Sequence, residues 1–294
     1  MTIFRAAVLQ MRSTTRPDDN VAAFSALVEE AVAAGANYVQ SPEMTGMVCR
    51  DRATLMESLR PEGEDPLIAE AGRLAGLHGI FVHVGSTAVP LDDGRVANRA
   101  FLFGPDGGKI ATYDKIHMFD VDLDNGESWR ESRTYRPGGT ATVSDVAFEG
   151  GPARLGFAVC YDMRFPHLFR EEALAGAEIL TAPAAFTRQT GEAHWHVLLR
   201  ARAIENGAFV IAAAQGGLHE DGRETYGHSL IVDPWGRVIA EVDGDAPGIA
   251  IAEIDTSAVS GARAKIPNLQ NARPFSVGEP SAEVVRPTGA VAAE

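Results

Sequence analysis

The segment RLGFAVCYDMRFPHLFREEALA, residues 154–175, decides the fold class, because it reads as a β-strand that passes directly into a helix. In its first seven positions Gly156, Ala158 and Cys160 share one face of a strand, and the apolar residues between them share the other. Pro166 then suits the first turn of a helix that runs to about residue 175. A strand followed by a helix is the repeating unit of an α/β protein.

The same alternation of strands and helices extends along the chain in both directions. Strands are predicted at residues 3–9, 37–40, 80–89, 178–183 and 209–214, and amphipathic helices at 21–34, 66–77 and about 192–206. Two β-hairpins are predicted at 99–113 and 229–242, each around a turn that contains Pro, Asp and Gly. The sequence therefore predicts the α/β class.

The chain organisation is simple. Hydrophobic residues make up 45% of the 294 residues, which is enough for a sizeable core. No linker-like composition interrupts residues 1–278, and we interpret them as one domain. Residues 279–294 contain Pro280 and Pro287 and show no helical period, so they are predicted to form a loosely attached tail or an arm against a neighbouring subunit.

Composition excludes several function classes. The formal net charge of −14 argues against a nucleic-acid or anionic-membrane partner, because both favour basic surfaces. No apolar run reaches the ~18 residues of a membrane span, and no signal peptide is recognisable, which predicts a cytoplasmic protein. Two cysteines cannot build a disulfide framework or a cysteine-rich metal site. His194 and His196 point apart on a helix, so they do not predict a metal site either.

Cys160 is the candidate nucleophile. It is predicted to end a strand just ahead of a helix N-terminus, a position where α/β folds bind ligands and where the helix favours the reactive thiolate. The alternative is that Cys160 is a small buried hydrophobic residue, as cysteines on apolar strands commonly are. Cys49 has no comparable setting.

A thiol nucleophile needs a base and a group that stabilises the oxyanion. Three histidines are available for this role, at positions 117, 194 and 228. A second set consists of Glu43 and Lys115, which each follow a predicted strand and therefore can project toward the same rim. A carboxylate accepts the thiol proton in this set, and an ammonium stabilises the developing negative charge.

Five ordered blocks of the chain carry a resemblance to a known family. They are Ser41–Glu43; Tyr113–His117 with Glu131–Ser132 and Pro137–Gly138; Gly156–Pro166; Ala193–Trp195 with Arg200–Asn206; and Tyr226–Ser229 with Asp233–Gly236. In order and separation they resemble the nitrilase superfamily of carbon-nitrogen hydrolases, over roughly residues 3–275. The blocks around Cys160 and Tyr226 are most similar to the amidase branch that includes deaminated-glutathione amidase and omega-amidase. Tyr161-Asp162 differs from the Trp-Glu that true nitrilases more often have.

The resemblance implies a fold and a set of residue roles. The fold is a four-layer α-β-β-α sandwich that pairs into homodimers or higher homo-oligomers, without cofactor or metal. Cys160 is implied as nucleophile, Glu43 as general base and Lys115 as oxyanion stabiliser. Glu131 is implied as a second carboxylate that orients Lys115, with Glu127 as the competing candidate.

The implied activity is hydrolysis of a small carboxylate-bearing amide to an acid and ammonia through a thioester. Arg164 is the first candidate for binding the substrate carboxylate, and an internal ion pair with Glu171 or Glu172 is its alternative role. Thr187 and Arg188 are second candidates in the loop after a predicted strand, and Arg133 is a further basic residue. Tyr161 is the remaining substrate-binding candidate, because a backbone N–H near it is expected to contact the oxyanion.

Three rival functions remain open at this stage. An N-carbamoyl-amino-acid amidohydrolase would use the same three side chains on a ureido carbonyl. A catalytically silent scaffold would use only the surface, although the residue types of the triad are intact. A metal-dependent amidohydrolase would lose activity on treatment with a chelator.

Overall fold

The computed structural model describes residues 2–123, 126 and 128–278. Two sequence predictions fall outside these residues, namely the tail at 279–294 and Glu127, the alternative to Glu131. No helix in the described part of the chain is long and apolar enough to cross a membrane.

The described residues form sixteen strands and six α-helices. The strands are β1 (Ile3–Gln10), β2 (Tyr38–Gln40), β3 (Phe81–Pro90), β4 (Val96–Phe103), β5 (Lys109–Asp114), β6 (Asp120–Asp122), β7 (Ser128–Arg130), β8 (Val143–Phe148), β9 (Gly151–Phe157), β10 (Ile179–Thr181), β11 (Phe209–Ala212), β12 (Gly216–Leu218), β13 (Glu224–Tyr226), β14 (Leu230–Val232), β15 (Val238–Glu241) and β16 (Gly248–Asp255). The helices are α1 (Pro17–Ala33), α2 (Arg52–Ser58), α3 (Pro66–His78), α4 (Pro166–Leu174), α5 (Arg188–Asn206) and α6 (Ser257–Lys265).

Two six-stranded sheets form the centre of the fold. The strand order is β16-β1-β2-β3-β4-β5 in the first sheet and β15-β14-β11-β10-β9-β8 in the second. Strands β1 to β3 are parallel to one another, and so are β9 to β11. β1 pairs antiparallel with β16 along its whole length, so strands from the beginning and the end of the described chain share one sheet.

Alternate residues of β1 show how the layers stack. Ala6 and Val8 belong to a core that the two sheets share, whereas Ala7 and Leu9 belong to a core beneath α1 and α3. Between the sheets, rings from β1 and β8 stack with their centroids 4.0 Å apart.

Helices cover the two outer faces of the sheet pair. α1 and α3 bury apolar side chains such as Phe24 and Leu74 against the first sheet. α4 and α5 bury Phe169 and Trp195 against the second sheet. The order of layers is α-β-β-α, which confirms the predicted four-layer sandwich.

The predicted helices and strands are present with shifted ends. The helix predicted from residue 21 begins at Pro17, and the helix predicted from about residue 192 begins at Arg188. The sequence analysis did not predict α2, α6, β6, β7, β8, β12, β13 or β16. Few of the residues in these elements are fully buried, so the hydrophobic period that marks a buried element is weak in them.

The strand predicted to end at Cys160 ends earlier. β9 stops at Phe157, and Cys160 opens the short 3-10 helix Cys160–Arg164. The φ angle of Cys160 is +52°, in the left-handed region that strands do not use. The backbone leaves the sheet because the Val159 N–H donates to the Asp162 carboxylate at 2.9 Å, which holds a tight turn at this point.

A close approach at Gly85 brings the loops of the two sheets together. A Cβ atom at Gly85 would lie 2.1 Å from the Ser41 carbonyl oxygen and 2.4 Å from Pro183 Cβ, so a side chain does not fit there. Ser41 follows β2 in the first sheet, and Pro183 follows β10 in the second. The loops at the carboxyl ends of strands from both sheets therefore meet, and such edges bind ligands in α/β folds.

Candidate active site

Glu43, Lys115 and Cys160, hereafter the triad, converge at this edge from three different strands. Glu43 lies three residues beyond β2, Lys115 directly follows β5, and Cys160 lies three residues beyond β9. All three residues are buried, with exposed fractions of 4%, 2% and 7%. The structure thus brings together three residues that are far apart in sequence.

The ammonium group of Lys115 lies between two carboxylates. Its Nζ is 2.9 Å from Glu43 Oε1, 2.8 Å from Glu131 Oε2 and 3.0 Å from Glu131 Oε1. Glu131 follows β7, and its Oε2 also accepts the Phe119 N–H at 2.7 Å. Because these hydrogen bonds are charge-assisted, Lys115 is held in one position.

Asn98 completes this network, although the sequence analysis did not single it out. Its side-chain nitrogen lies 2.9 Å from Glu43 Oε1 and 3.2 Å from Glu131 Oε1, so the amide donates to both carboxylates. Asn98 is buried on β4, a strand of mostly apolar residues. A polar residue in such a strand was the available signal, because a buried amide needs hydrogen-bond partners.

The Cys160 thiol faces Glu43. The Glu43 carboxylate is close enough to the thiol that, together with burial, it raises the pKa of Cys160. The Ala185 N–H donates to Glu43 Oε2 at 2.8 Å, so the loop after β10 fixes the second carboxylate oxygen. Glu43 is therefore placed between the thiol and the ammonium group.

Burial and neighbouring charges set the protonation states of the triad. Burial and the Glu43 carboxylate raise the pKa of the Cys160 thiol well above its ordinary value, although Lys115 opposes them. Burial opposes ionisation of Glu43, but the charge of Lys115 and hydrogen bonds from the thiol, the ammonium group and Asn98 hold the pKa of Glu43 below its ordinary value. Burial likewise disfavours the charged form of Lys115, but Glu131 and Glu43 raise its pKa.

At neutral pH the site accordingly holds a neutral thiol, a carboxylate and an ammonium group. The sequence-based expectation that a helix N-terminus favours the thiolate is wrong here. The reason is that desolvation and the adjacent carboxylate raise the pKa of the thiol more than Lys115 lowers it.

Asp162 holds the turn that carries Cys160, and the sequence analysis assigned it no role. Its buried carboxylate accepts hydrogen bonds from the Val159 N–H at 2.9 Å, the His117 N–H at 2.9 Å and the Tyr113 hydroxyl at 2.7 Å. Tyr113 and His117 lie two residues to either side of Lys115. Asp162 therefore ties the segment of the lysine to the turn of the cysteine.

A pocket of about 490 Å³ opens onto the triad. Among the described residues, six basic and two acidic side chains line it: Arg50, Arg52, Lys115, Arg130, Arg133 and Arg223, with Glu43 and Glu131. Both acidic side chains are already paired with Lys115. The described lining is thus positively charged, in a chain whose net charge is −14.

Three of the four predicted substrate-binding residues lie at or next to this pocket. Tyr161 and Thr187 line it. The Arg164 guanidinium lies 5.2 Å from the ring centroid of Phe186 and 6.0 Å from that of Tyr161, and both rings line the pocket. Burial lowers the pKa of Arg164 from its ordinary value.

The fourth residue, Arg188, is placed at the protein surface. Its guanidinium forms ion pairs with Glu224 at 2.6 Å and with Glu192 at 3.3 Å. It begins α5, and the first turn of this helix carries it away from the residues that line the pocket.

Arg164 makes no ion pair with Glu171 or Glu172, nor with any other carboxylate in the described part of the chain. Glu172 instead points into the core, where its side chain lies against Gly156 of β9. Neither of its carboxylate oxygens has a well-formed hydrogen bond among the described residues. Burial, assisted by the nearby Asp162, raises the pKa of Glu172 well above its ordinary value.

We expect the Glu172→Gln variant to be more stable than the unchanged protein at pH 8. The folded-state pKa of Glu172 lies above the unfolded value of about 4.3, so the unfolded chain binds fewer protons between these two values and stability falls as pH rises through that range. The Glu172→Gln variant has no carboxyl group at this position, so it does not lose stability in this way. Its Tm should exceed that of the unchanged protein by roughly 3 °C at pH 8, and by less at pH 5.

The matched control for this measurement is Glu171→Gln, which changes the exposed neighbour on the same helix. Calorimetric scans of both variants across pH give the answer. A Tm difference for Glu172→Gln that is the same at pH 5 and pH 8 would contradict the assignment of a protonated carboxyl group.

The histidines considered as bases have other partners. His117 Nδ1 lies 2.7 Å from the Asp162 carboxylate, and His194 Nδ1 lies 3.3 Å from Arg164. His228 and His196 both contact Glu241 Oε1, at 2.7 and 2.9 Å. The ligand atoms of this last group lie within 4.8 Å of one another, a grouping that the sequence analysis did not predict because it considered only His194 with His196.

The chain is similar to proteins of a known family. The sequence profile of the carbon-nitrogen hydrolase family matches residues 5–264. The chain is 39% identical over 270 residues to deaminated glutathione amidase of Yersinia enterocolitica, a match that covers 91% of this chain and 92% of that protein. It is 40% identical over 276 residues to deaminated glutathione amidase of Homo sapiens, covering 92% and 83% of the two chains. Among solved structures, the C. elegans NitFhit protein superposes with a TM-score of 0.84 at 33% identity, covering 92% of this chain and 65% of that longer chain.

Proposed function

Because this chain belongs to the carbon-nitrogen hydrolase family and is an enzyme that acts on amides, we propose that it hydrolyses a small amide that carries a carboxylate, through a thioester on Cys160. The products are a carboxylic acid and ammonia or an amine. The substrate class resembles that named for the relatives from Yersinia enterocolitica and Homo sapiens, deaminated glutathione.

The proposal that the substrate is anionic rests on the charge of the pocket. Of the six basic side chains in the described lining, Lys115 is paired with the two carboxylates that line the pocket, Arg130 is paired with Asp122, and Arg223 lies 4.0 Å from Asp221. The other three arginines have no carboxylate partner among the described residues and leave a positive potential in the pocket. In a chain of net charge −14 such a pocket favours entry of an anionic substrate.

The first chemical step follows from the protonation states. Cys160 is a neutral thiol, so its proton has to leave as Sγ attacks the amide carbonyl carbon, and the ionised Glu43 beside it accepts that proton. Negative charge develops on the carbonyl oxygen. Lys115 and the backbone N–H of Tyr161 stabilise it, since an N–H in the first turn of a helix has no partner within that helix.

The second half of the reaction reuses the same groups. Glu43 returns the proton to the nitrogen of the leaving group as the carbon–nitrogen bond breaks, and the acyl group remains on Sγ as a thioester. Glu43 then takes a proton from a water molecule that attacks the thioester, and it returns this proton to the sulfur when the acid leaves. Glu131 and Asn98 act as positioning residues, because they hold Lys115 and Glu43 without contacting the thiol.

Arg164 is proposed to bind the substrate carboxylate. Its guanidinium is held against the rings of Tyr161 and Phe186 at the pocket, and no carboxylate of the described residues pairs with it. An arginine in this setting binds a carboxylate through two parallel hydrogen bonds.

We expect Arg164→Gln to lower kcat/KM for glutaramate by roughly 10- to 100-fold, which is the cost of an unmade hydrogen bond to a charged group. The methyl ester of glutaramate lacks the charge, and its kcat/KM should change little. The control is Arg188→Gln, which removes a nearby arginine that is paired at the surface. If the unchanged enzyme prefers the methyl ester over glutaramate, the proposed substrate class is wrong. N-carbamoyl amino acids in the same panel test the rival activity.

Three further proposals concern the whole chain. We propose residues 1–278 as the hydrolase domain and 279–294 as a tail, since the family match ends at residue 264. A cytoplasmic location is supported by the two free cysteines, because a reducing compartment keeps a nucleophilic thiol reduced. A homo-oligomer is supported by exposed apolar side chains on α5, where Val197 is 67% and Ile204 51% exposed.

A further inference from the structure

Arg223 is a nearly buried guanidinium whose hydrogen-bonding capacity is unused in the described structure. Its side chain is only 17% exposed, and its Nε is fully enclosed without a hydrogen-bond partner. None of its side-chain nitrogens donates a hydrogen bond to any described residue. A guanidinium has five N–H donors, and enclosing even the one on Nε without a partner is costly.

Aromatic stacking and one distant carboxylate hold Arg223 in place. Its guanidinium lies 4.4 Å from the ring centroid of Trp129, and the guanidinium of Arg50 lies 4.3 Å from the same ring. The nearest carboxylate oxygen is that of Asp221, 4.0 Å from Nε, which is beyond hydrogen-bonding distance. Because this closest approach is to Nε, Asp221 does not occupy the terminal nitrogens.

Arg223, Arg50 and Trp129 all line the pocket that opens onto the triad. Arg164 by contrast contacts Tyr161 and Phe186. Arg223 in the pocket lining and Arg164 beside it are therefore held separately, each next to its own aromatic partners.

From this geometry we infer that Arg223, stacked on Trp129, is a specificity-determining residue that binds an anionic group of the substrate other than the group bound at Arg164. The inference rests on the proposed function, because it concerns the substrate of the same site. The ligand is a carboxylate, since a planar fork of N–H donors matches its two oxygens. Arg50 adds positive charge on the shared indole ring without being enclosed itself.

The test compares amides that differ only in where they carry negative charge. The probes are butyramide, which is neutral, glutaramate, with a carboxylate on the acyl half, butyrylglycine, with a carboxylate on the amine half, and glutarylglycine, with both. We expect Arg223→Gln to lower kcat/KM by about 10- to 100-fold for glutarylglycine and butyrylglycine, and to leave butyramide and glutaramate unchanged, because Arg164 is proposed to bind the carboxylate of the acyl half. Arg223→Lys should restore part of the loss, because it keeps the charge without the fork.

Two measurements separate this inference from folding defects and from the proposed function. Arg237→Gln removes an exposed arginine far from the triad and serves as the matched control, and the Tm of each variant reports on folding. Calorimetric binding of glutarylglycine to the Cys160→Ala protein, with and without Arg223→Gln, needs no turnover. If the unchanged enzyme hydrolyses none of the amides, the proposed function fails, yet weaker binding of glutarylglycine in the Arg223→Gln variant would still support the inference. Where the amides are hydrolysed, equal losses on all four or no loss on any would overturn it, and so would unchanged binding of glutarylglycine.

Discussion

Cys160→Ala is expected to abolish amide hydrolysis, with a loss of at least about 10³-fold in kcat, because Cys49, the other thiol of the pocket lining, donates to the Asp51 carbonyl oxygen and has no carboxylate base among the described residues as hydrogen-bond partner. The fold should persist. Alanine keeps the Cβ atom and so meets the same backbone strain at φ +52° as cysteine does. Removing one buried sulfur also leaves the hydrogen bonds between Lys115 and the two carboxylates in place.

The measurement is ammonia release from glutaramate, with Tm and circular dichroism to verify folding. Cys49→Ala removes the other thiol of the chain and is the matched control, which should keep its activity. Mass spectrometry after incubation with substrate should detect an acyl adduct on Cys160 in the unchanged enzyme. Near-normal turnover by Cys160→Ala would refute the proposed nucleophile.

Sequence patterns predict the layers of this fold well, because the buried residues of helices and of strands recur with different periods along the sequence. β1 has buried residues on both faces, and its apolar run is what a strand between two layers requires. The ends of α3 were also predicted correctly, since Pro66 begins this helix and Gly79 follows its end in the left-handed conformation. What the patterns miss is the point at which β9 ends, because that depends on contacts between Asp162 and distant segments.

The three residues of the triad were predicted on a different basis. Glu43, Lys115 and Cys160 were assigned through resemblance to a family, and the structure brings all three to one edge. Asn98 and Arg223 were not assigned, because their importance lies in neighbours that are distant in sequence. The amide of Asn98 meets a carboxylate 55 residues away, and Arg223 meets the Trp129 ring across the pocket. A single sequence contains no signal for such proximity.

The sequence analysis sought one arginine that binds the substrate carboxylate, whereas five arginines line the pocket in the described structure. The sequence analysis considered Arg164, Arg188 and Arg133 from their positions near strand ends or motif blocks. Arg188 is paired at the surface, and Arg223 occupies the pocket instead. A position at the end of a strand predicts where the backbone of a residue lies, but the direction of a long side chain depends on its partners.

Glu43→Gln is expected to lower kcat by at least the ~10²-fold typical of a general base. The reactivity of the Cys160 thiol tests whether the loss of the base is the cause. In the unchanged enzyme the Glu43 carboxylate helps to raise the pKa of Cys160, while Lys115 opposes it. Without the carboxylate charge, the pKa of the thiol falls. Alkylation of Cys160 by iodoacetamide at pH 8 should therefore be at least as fast in the variant, although amide turnover is slow.

This divergence between thiol reactivity and turnover distinguishes a base from a residue that merely maintains the structure. A structural defect would lower both rates, and so would a misplaced Cys160. The pH profile adds a second constraint: since the pKa of Glu43 lies below its ordinary value, the acid limb of kcat/KM in the unchanged enzyme should lie below about pH 4.3. Glu171→Gln, the exposed control, should match the unchanged enzyme in both assays. If Glu43→Gln kept its turnover, another group would have to accept the proton of Cys160, and Glu131 is the remaining carboxylate of the described pocket lining.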